Sequence, residues 1–133
     1  MHNSRTVLMV EDELEIVEAA RFRLQSVGYN LLWASNGHEG LQSAISFRPD
    51  VILLDVRMPR KDGLTVLGEL KARSDTREIP IIMLSASIVD QKAALDAGAL
   101  YFLRKPYEGE KLVKMVQSAI AEHDSSDARS PGK

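Results

Sequence analysis

The sequence predicts an α/β protein built on a parallel sheet. Short apolar runs alternate with segments of helical period five times along the chain, the signature of strands joined by helical crossovers. Runs such as Val51-Ile52-Leu53-Leu54 and Ile81-Ile82-Met83-Leu84 are wholly apolar, which suits strands buried on both faces. The runs also end alike. Val7-Leu8-Met9-Val10 leads into Glu11-Asp12-Glu13, Leu54 into Asp55, Leu84 into Ser85-Ala86, and Tyr101-Phe102-Leu103 reaches Lys105-Pro106. The carboxyl edge of an open α/β sheet is where ligands bind. Acids, a hydroxyl and an ammonium thus converge on one rim.

Each element has its own local reason. The first strand is expected over 6–10. A helix over 13–27 follows, because Ile16, Val17, Ala20, Leu24 and Val27 recur at helical spacing, and Gly28 can supply the left-handed residue past its end. The second strand is 30–34. Asn36 with Glu39 forms a capping box for the second helix, which stops before Arg48-Pro49. The third strand is 51–54 and the third helix 63–73. A polar loop over 74–78, then Pro80, leads to the fourth strand, 81–84. Ser87 with Asp90 reads as the cap of a short, alanine-rich fourth helix ending at Gly98. The fifth strand is 101–104. The last helix starts near Glu108 and carries Leu112, Val113, Val116, Ala119 and Ile120 on one face. Residues 124–133 are polar, contain Pro and Gly and lack an apolar period. They read as a tail or the start of a linker, leaving one domain over 5–123.

Bulk properties exclude several function classes. A chain of 133 residues fits one domain. A net charge of −2 gives no electrostatic drive toward nucleic acid, so no direct nucleic-acid partner is expected. Without cysteine there are no disulfides and no thiolate metal sites. No apolar run approaches the ~20 residues that span a bilayer, so no membrane insertion is expected. The first residues do not form a signal peptide, which points to the cytoplasm.

Five motifs now carry a resemblance: Glu11-Asp12, Asp55 with Met58-Pro59, Asp62-Gly63, Ser85-Ala86 and Lys105-Pro106. In this order, at strand ends, they resemble the response-regulator receiver domain of two-component signalling. The resemblance implies a flavodoxin-like five-stranded parallel sheet of order 2-1-3-4-5, flanked by five helices. It implies that Asp55 is the phosphoacceptor, taking a phosphoryl group as an acyl phosphate. Mg²⁺, or Mn²⁺ in its stead, is then the implied cofactor. Asp12 and Asp55 would ligate it directly, the backbone carbonyl of Arg57 would add a ligand, and Glu11 would hold a metal-bound water. Lys105 would meet a phosphoryl oxygen. Ser85 and Phe102 would form the switch, the hydroxyl moving toward the phosphoryl group and the aromatic filling the vacated space. Arg57 and Ser87, two residues after Asp55 and Ser85, would tune the lifetime of the modification. Implied partners are a sensor histidine kinase or histidine phosphotransfer protein, and a downstream effector that reads the face of the fourth helix, fifth strand and fifth helix. The domain would be no enzyme beyond its own phosphorylation and dephosphorylation.

Other readings fit less well. An aspartate-nucleophile phosphatase places a second Asp two residues after the nucleophile, where Arg57 stands. A flavodoxin needs a phosphate-cradling loop after the first strand, where Glu11-Asp12-Glu13 would repel a phosphate. A non-phosphorylated pseudo-receiver loses some of the key residues, and this chain keeps them all.

Overall fold

The computed structural model describes residues 4–129. Strands β1 (Thr6–Val10), β2 (Asn30–Ala34), β3 (Val51–Asp55), β4 (Ile81–Ser85) and β5 (Tyr101–Arg104) form one sheet of order β2-β1-β3-β4-β5. Every pairing is parallel. This is the flavodoxin-like order that the resemblance implied. Helices α1 (Leu14–Ser26), α2 (Gly37–Phe47), α3 (Gly63–Ala72), α4 (Asp90–Asp96) and α5 (Gly109–Arg129) form the crossovers and the final element.

Strand alternation divides the core into two layers. Val7, Met9, Val51, Leu53, Ile82, Leu84 and Leu103 pack with Val17, Ala20 and Leu24 of α1 and with Leu112, Val116 and Ala119 of α5. Leu8, Val10, Ile52, Leu54, Ile81 and Met83 pack with Ala44 of α2, Val66, Leu67 and Leu70 of α3, and Ala94 of α4. The same parity carries the site. Asp55 follows Val51 and Leu53 toward the α1/α5 side. Ser85 follows Ile81 and Met83 toward the side of α4.

Two expectations are corrected. The polar segment after 123 does not leave the fold at once, since α5 runs on to Arg129. Helix continuation needs only the absence of a breaker, and Pro131 is the first one met. The rest of the expected tail, 130–133, lies outside the described residues. Ser87 and Asp90 do not cap α4 as a box. Val89 is the N-cap residue and no side chain caps it. The Ser87 hydroxyl accepts from the Val89 N–H at 3.3 Å, and Asp90 turns inward to stronger, charge-assisted partners. Half of the expected box at Asn36 forms: its Oδ1 accepts from the Glu39 N–H at 2.9 Å, while the Glu39 carboxylate reaches back to the Ser35 N–H at 3.3 Å and hydroxyl at 3.1 Å.

Candidate functional site

The register of the central strands sets the site. Val10 pairs with Leu54 and Asp55 with Leu84, so the ends of β1, β3 and β4 lie side by side. Glu11 and Asp12 follow β1, Asp55 ends β3, and Lys105 follows β5. Glu11, Asp12 and Asp55 offer carboxylate oxygens lying within 4.8 Å of one another. Glu11 and Asp55 are buried, at 0 % and 4 % exposure, while Asp12 is exposed. The loop after β1 is pinned on its far side by Trp33, whose indole N–H donates to the Glu11 carbonyl at 2.7 Å.

Lys105 bridges the two buried acids. Its Nζ lies 2.9 Å from Glu11 Oε1 and 3.1 Å from Asp55 Oδ2. The contact to Glu11 is an ion pair without hydrogen-bond geometry, so the buried Oε1 has no hydrogen-bond partner. Glu11 Oε2 accepts from the Glu13 N–H at 3.2 Å, and Asp55 Oδ1 from the Arg57 N–H at 3.4 Å. The Lys105–Pro106 peptide bond is cis.

The protonation pattern follows from this burial. Burial pushes the Glu11 carboxyl up to about 6 against the pull of Lys105, and the Asp55 charge adds to the rise. Burial also raises Asp55, outweighing the Lys105 ammonium beside it. For Lys105 burial acts downward, but the two carboxylates win and hold the ammonium above its ordinary value. Burial and the neighbouring Glu11 charge push the Tyr107 phenol up to about 12. One cation thus faces two buried anions with a third acid at the rim. A buried carboxylate oxygen that meets Lys105 by charge but accepts no hydrogen bond, in an all-oxygen cluster, suits a hard divalent cation such as Mg²⁺.

The loop after Asp55 explains why the sequence carries Asp62-Gly63. Asp62 Oδ1 accepts from the Thr65 N–H at 3.0 Å and caps α3. Gly63 donates its N–H to the Val56 carbonyl at 2.8 Å. A Cβ at Gly63 would stand 2.1 Å from the Asp55 carbonyl oxygen, so only glycine allows α3 to start against the backbone of β3.

The polar side chains of the other sequence-predicted residues bond to groups other than Asp55. Ser85 is buried at the end of β4, and its Oγ donates to Asp90 Oδ2 at 2.6 Å. Arg57 forks onto the same carboxylate, with Nε and Nη2 each at 3.1 Å. Its guanidinium therefore does not lie over Asp55 in this structure. Ser87 donates its N–H to Ser85 Oγ at 3.0 Å. Phe102 is half-buried on β5 and packs against the layer that holds Met83. Sequence reasoning missed Asp90 as the common acceptor. The only sequence signal was an acid five residues after Ser85.

Among the described residues, no helix is long and apolar enough to cross a membrane. A family model of the response regulator receiver domain matches residues 7–117. The chemotaxis protein CheY4 of Vibrio cholerae is similar at 32% identity and a TM-score of 0.81, over 88% of this chain and 99% of that one. A putative response regulator from Chloroflexus aurantiacus is 32% identical with a TM-score of 0.85, over 90% and 99%. The receiver domain of the sensor histidine kinase PA1611 from Pseudomonas aeruginosa, solved with a magnesium ion in its active-site cleft, is 31% identical with a TM-score of 0.82, over 90% and 99%. Fold, rim geometry and the family match agree: the chain belongs to the response-regulator receiver domains of two-component signalling.

Proposed function

We propose that this receiver is a cytoplasmic switch that accepts a phosphoryl group from a phosphohistidine onto Asp55. The observation that carries the reading is the Lys105 ammonium held between Glu11 and Asp55, at 2.9 and 3.1 Å, at the open end of β3. A carboxylate oxygen of Asp55 attacks phosphorus as the phosphorus–nitrogen bond breaks. The bonding pair returns to the imidazole, and Asp55 becomes an acyl phosphate. Lys105 Nζ lies 3.1 Å from Asp55 Oδ2 and would meet the charge of the incoming phosphoryl oxygens, so catalysis here is positioning and electrostatics.

Asp12, Asp55 and the Arg57 carbonyl would hold Mg²⁺, or Mn²⁺, with Glu11 acting through a water. The bound cation supplies neutralising charge to the phosphoryl oxygens. After transfer, Ser85 would hydrogen-bond the phosphoryl group and Phe102 would turn inward, which alters the α4–β5–α5 face for a downstream effector. Release is in-line attack by water, tuned by Arg57 and Ser87.

The partner classes are a sensor histidine kinase or histidine phosphotransfer protein on the input side and an effector protein or domain on the output side. Incubating the chain with a phosphotransfer protein carrying labelled phosphohistidine tests the reading. Label should move to this chain with Mg²⁺, and neither after chelation nor with Asp55→Asn. Transfer that persists in Asp55→Asn would refute it.

A further inference from the structure

Asp90 sits at the first turn of α4 and is 8 % exposed. Three donors converge on its carboxylate: the Ser85 hydroxyl at 2.6 Å, and Arg57 Nε and Nη2 at 3.1 Å each. The two residues that donate them flank the acceptor. Arg57 comes two residues after Asp55, and Ser85 ends the neighbouring strand. The side chains of both are bonded to Asp90 on α4. The Ser85 oxygen is occupied as well, accepting from the Ser87 N–H at 3.0 Å. The Asp90 carboxyl lies below its ordinary range, since the Ser85 and Arg57 bonds overcome the upward push of burial.

We infer that Asp90 is a positioning residue: while Asp55 is unmodified, it holds Ser85 and Arg57 off the acceptor, and phosphorylation draws them away and frees the start of α4. This rests on Asp55 being the phosphoacceptor. The reason is competition for donors. A phosphoryl group offers anionic oxygens of the same kind as the Asp90 carboxylate. Ser85 has a single proton to donate, so it cannot serve both anions at once. Two anions that draw on one set of donors oppose each other reciprocally.

The output follows from the shortness of α4. It has 7 residues and no side-chain N-cap bond, and helices of that length do not stand by themselves in water. Its ties to the sheet include the buried Ala94 and the Asp90 contact. Loss of the second leaves the first turn weakly held. An acid at this place thus couples the state of Asp55 to the order of α4.

The test compares wild type, Asp90→Ala, and the shape-conserving Asp90→Asn, in the normal background and in a Ser85→Ala, Arg57→Ala background. A small phosphodonor with Mg²⁺ is used, with intact mass for the rate and hydrogen exchange for the α4 amides. A receiver whose competent state is a minor fraction reacts more slowly by that fraction. Asp90→Ala should be phosphorylated about five- to tenfold faster, the worth of one charge-assisted hydrogen bond after discounting for the exposed Arg57 side chain. Asp90→Asn should fall between the two. In the background lacking both donors, Asp90→Ala should change the rate by less than about twofold, because there is nothing left to hold. A merely structural residue would act alike in both backgrounds. In wild type the α4 amides should exchange faster once Asp55 is modified, while in Asp90→Ala they should be fast beforehand and change little. An unchanged or slower rate in both Asp90 variants overturns the inference, as does equal acceleration in both backgrounds. A wild type that takes no phosphoryl group at Asp55 removes the receiver reading itself, and this inference with it.

Discussion

Lys105→Met is the most informative single perturbation of the resting fold. It removes the cation between Glu11 and Asp55, whose oxygens lie 2.9 and 3.1 Å from Nζ, and keeps most of the apolar stem. At an effective dielectric of 20 each contact is worth about 5 kcal/mol of gross attraction. That gross figure is not the net loss, because a buried acid can escape by taking up a proton. Protonating a carboxyl of ordinary value 4.5 costs about 3.4 kcal/mol at pH 7 and about 0.7 at pH 5. Breaking a buried pair by removing one partner costs about 3–5 kcal/mol. Wild-type Glu11, raised to about 6, already carries about 2 kcal/mol of this cost at pH 7. The further loss through Glu11 in metal-free protein is therefore about 1.4 kcal/mol at pH 7 and close to zero at pH 5, and loss of the Asp55 pair adds to it. The sign follows from linkage: the folded variant holds a proton that the unfolded chain releases between these pH values, so its stability falls as pH rises. Urea unfolding of both proteins at the two pH values, in chelator, measures it. A loss below about 1 kcal/mol at pH 7, or the same loss at both pH values, would refute the picture of Lys105 as the counter-ion of two buried anions.

Three further outcomes follow from the same geometry. Gly63→Ala places a Cβ 2.1 Å from the Asp55 carbonyl oxygen and should cost about 2–3 kcal/mol through the backbone shift it forces; denaturant midpoints at the wild-type value would contradict this. In wild type without metal, stability should fall as pH rises toward about 6, because folded Glu11 binds its proton more tightly than the unfolded chain does; the loss should be about 2 kcal/mol, and Glu11→Gln should flatten the profile. Mg²⁺ at ten times its dissociation constant should stabilise wild type by about 1.4 kcal/mol, and in Asp12→Ala that increment should largely vanish; equal melting shifts in the two proteins would mean the metal does not use Asp12.

The fold was legible because its signals are local and redundant. Strands β1, β2 and β5 have the bounds their composition suggested, and β3 and β4 each gain one residue, Asp55 and Ser85, because the chemical residue still pairs in the ladder. Asn36 announces α2 and Gly63 announces α3. The convergence of Glu11, Asp12, Asp55 and Lys105 was legible because strand-end position is set by the sheet. What escaped was side-chain choice between competing partners. Asp90 looks in sequence like a helix-cap acid. Its selection of Ser85 and Arg57 depends on the three-dimensional path of the β4–α4 loop, which no local period encodes. The extent of α5 escaped for a related reason, since polar residues continue a helix without leaving an apolar trace.

The central claim is that Asp55 accepts the phosphoryl group. The most direct measurement is peptide mapping of the chain after reaction with a small phosphodonor and Mg²⁺, alongside Asp55→Asn. One phosphoryl group should appear, on the peptide carrying Asp55, and none on Asp55→Asn. Modification on any other residue, or equal incorporation into Asp55→Asn, would contradict the account.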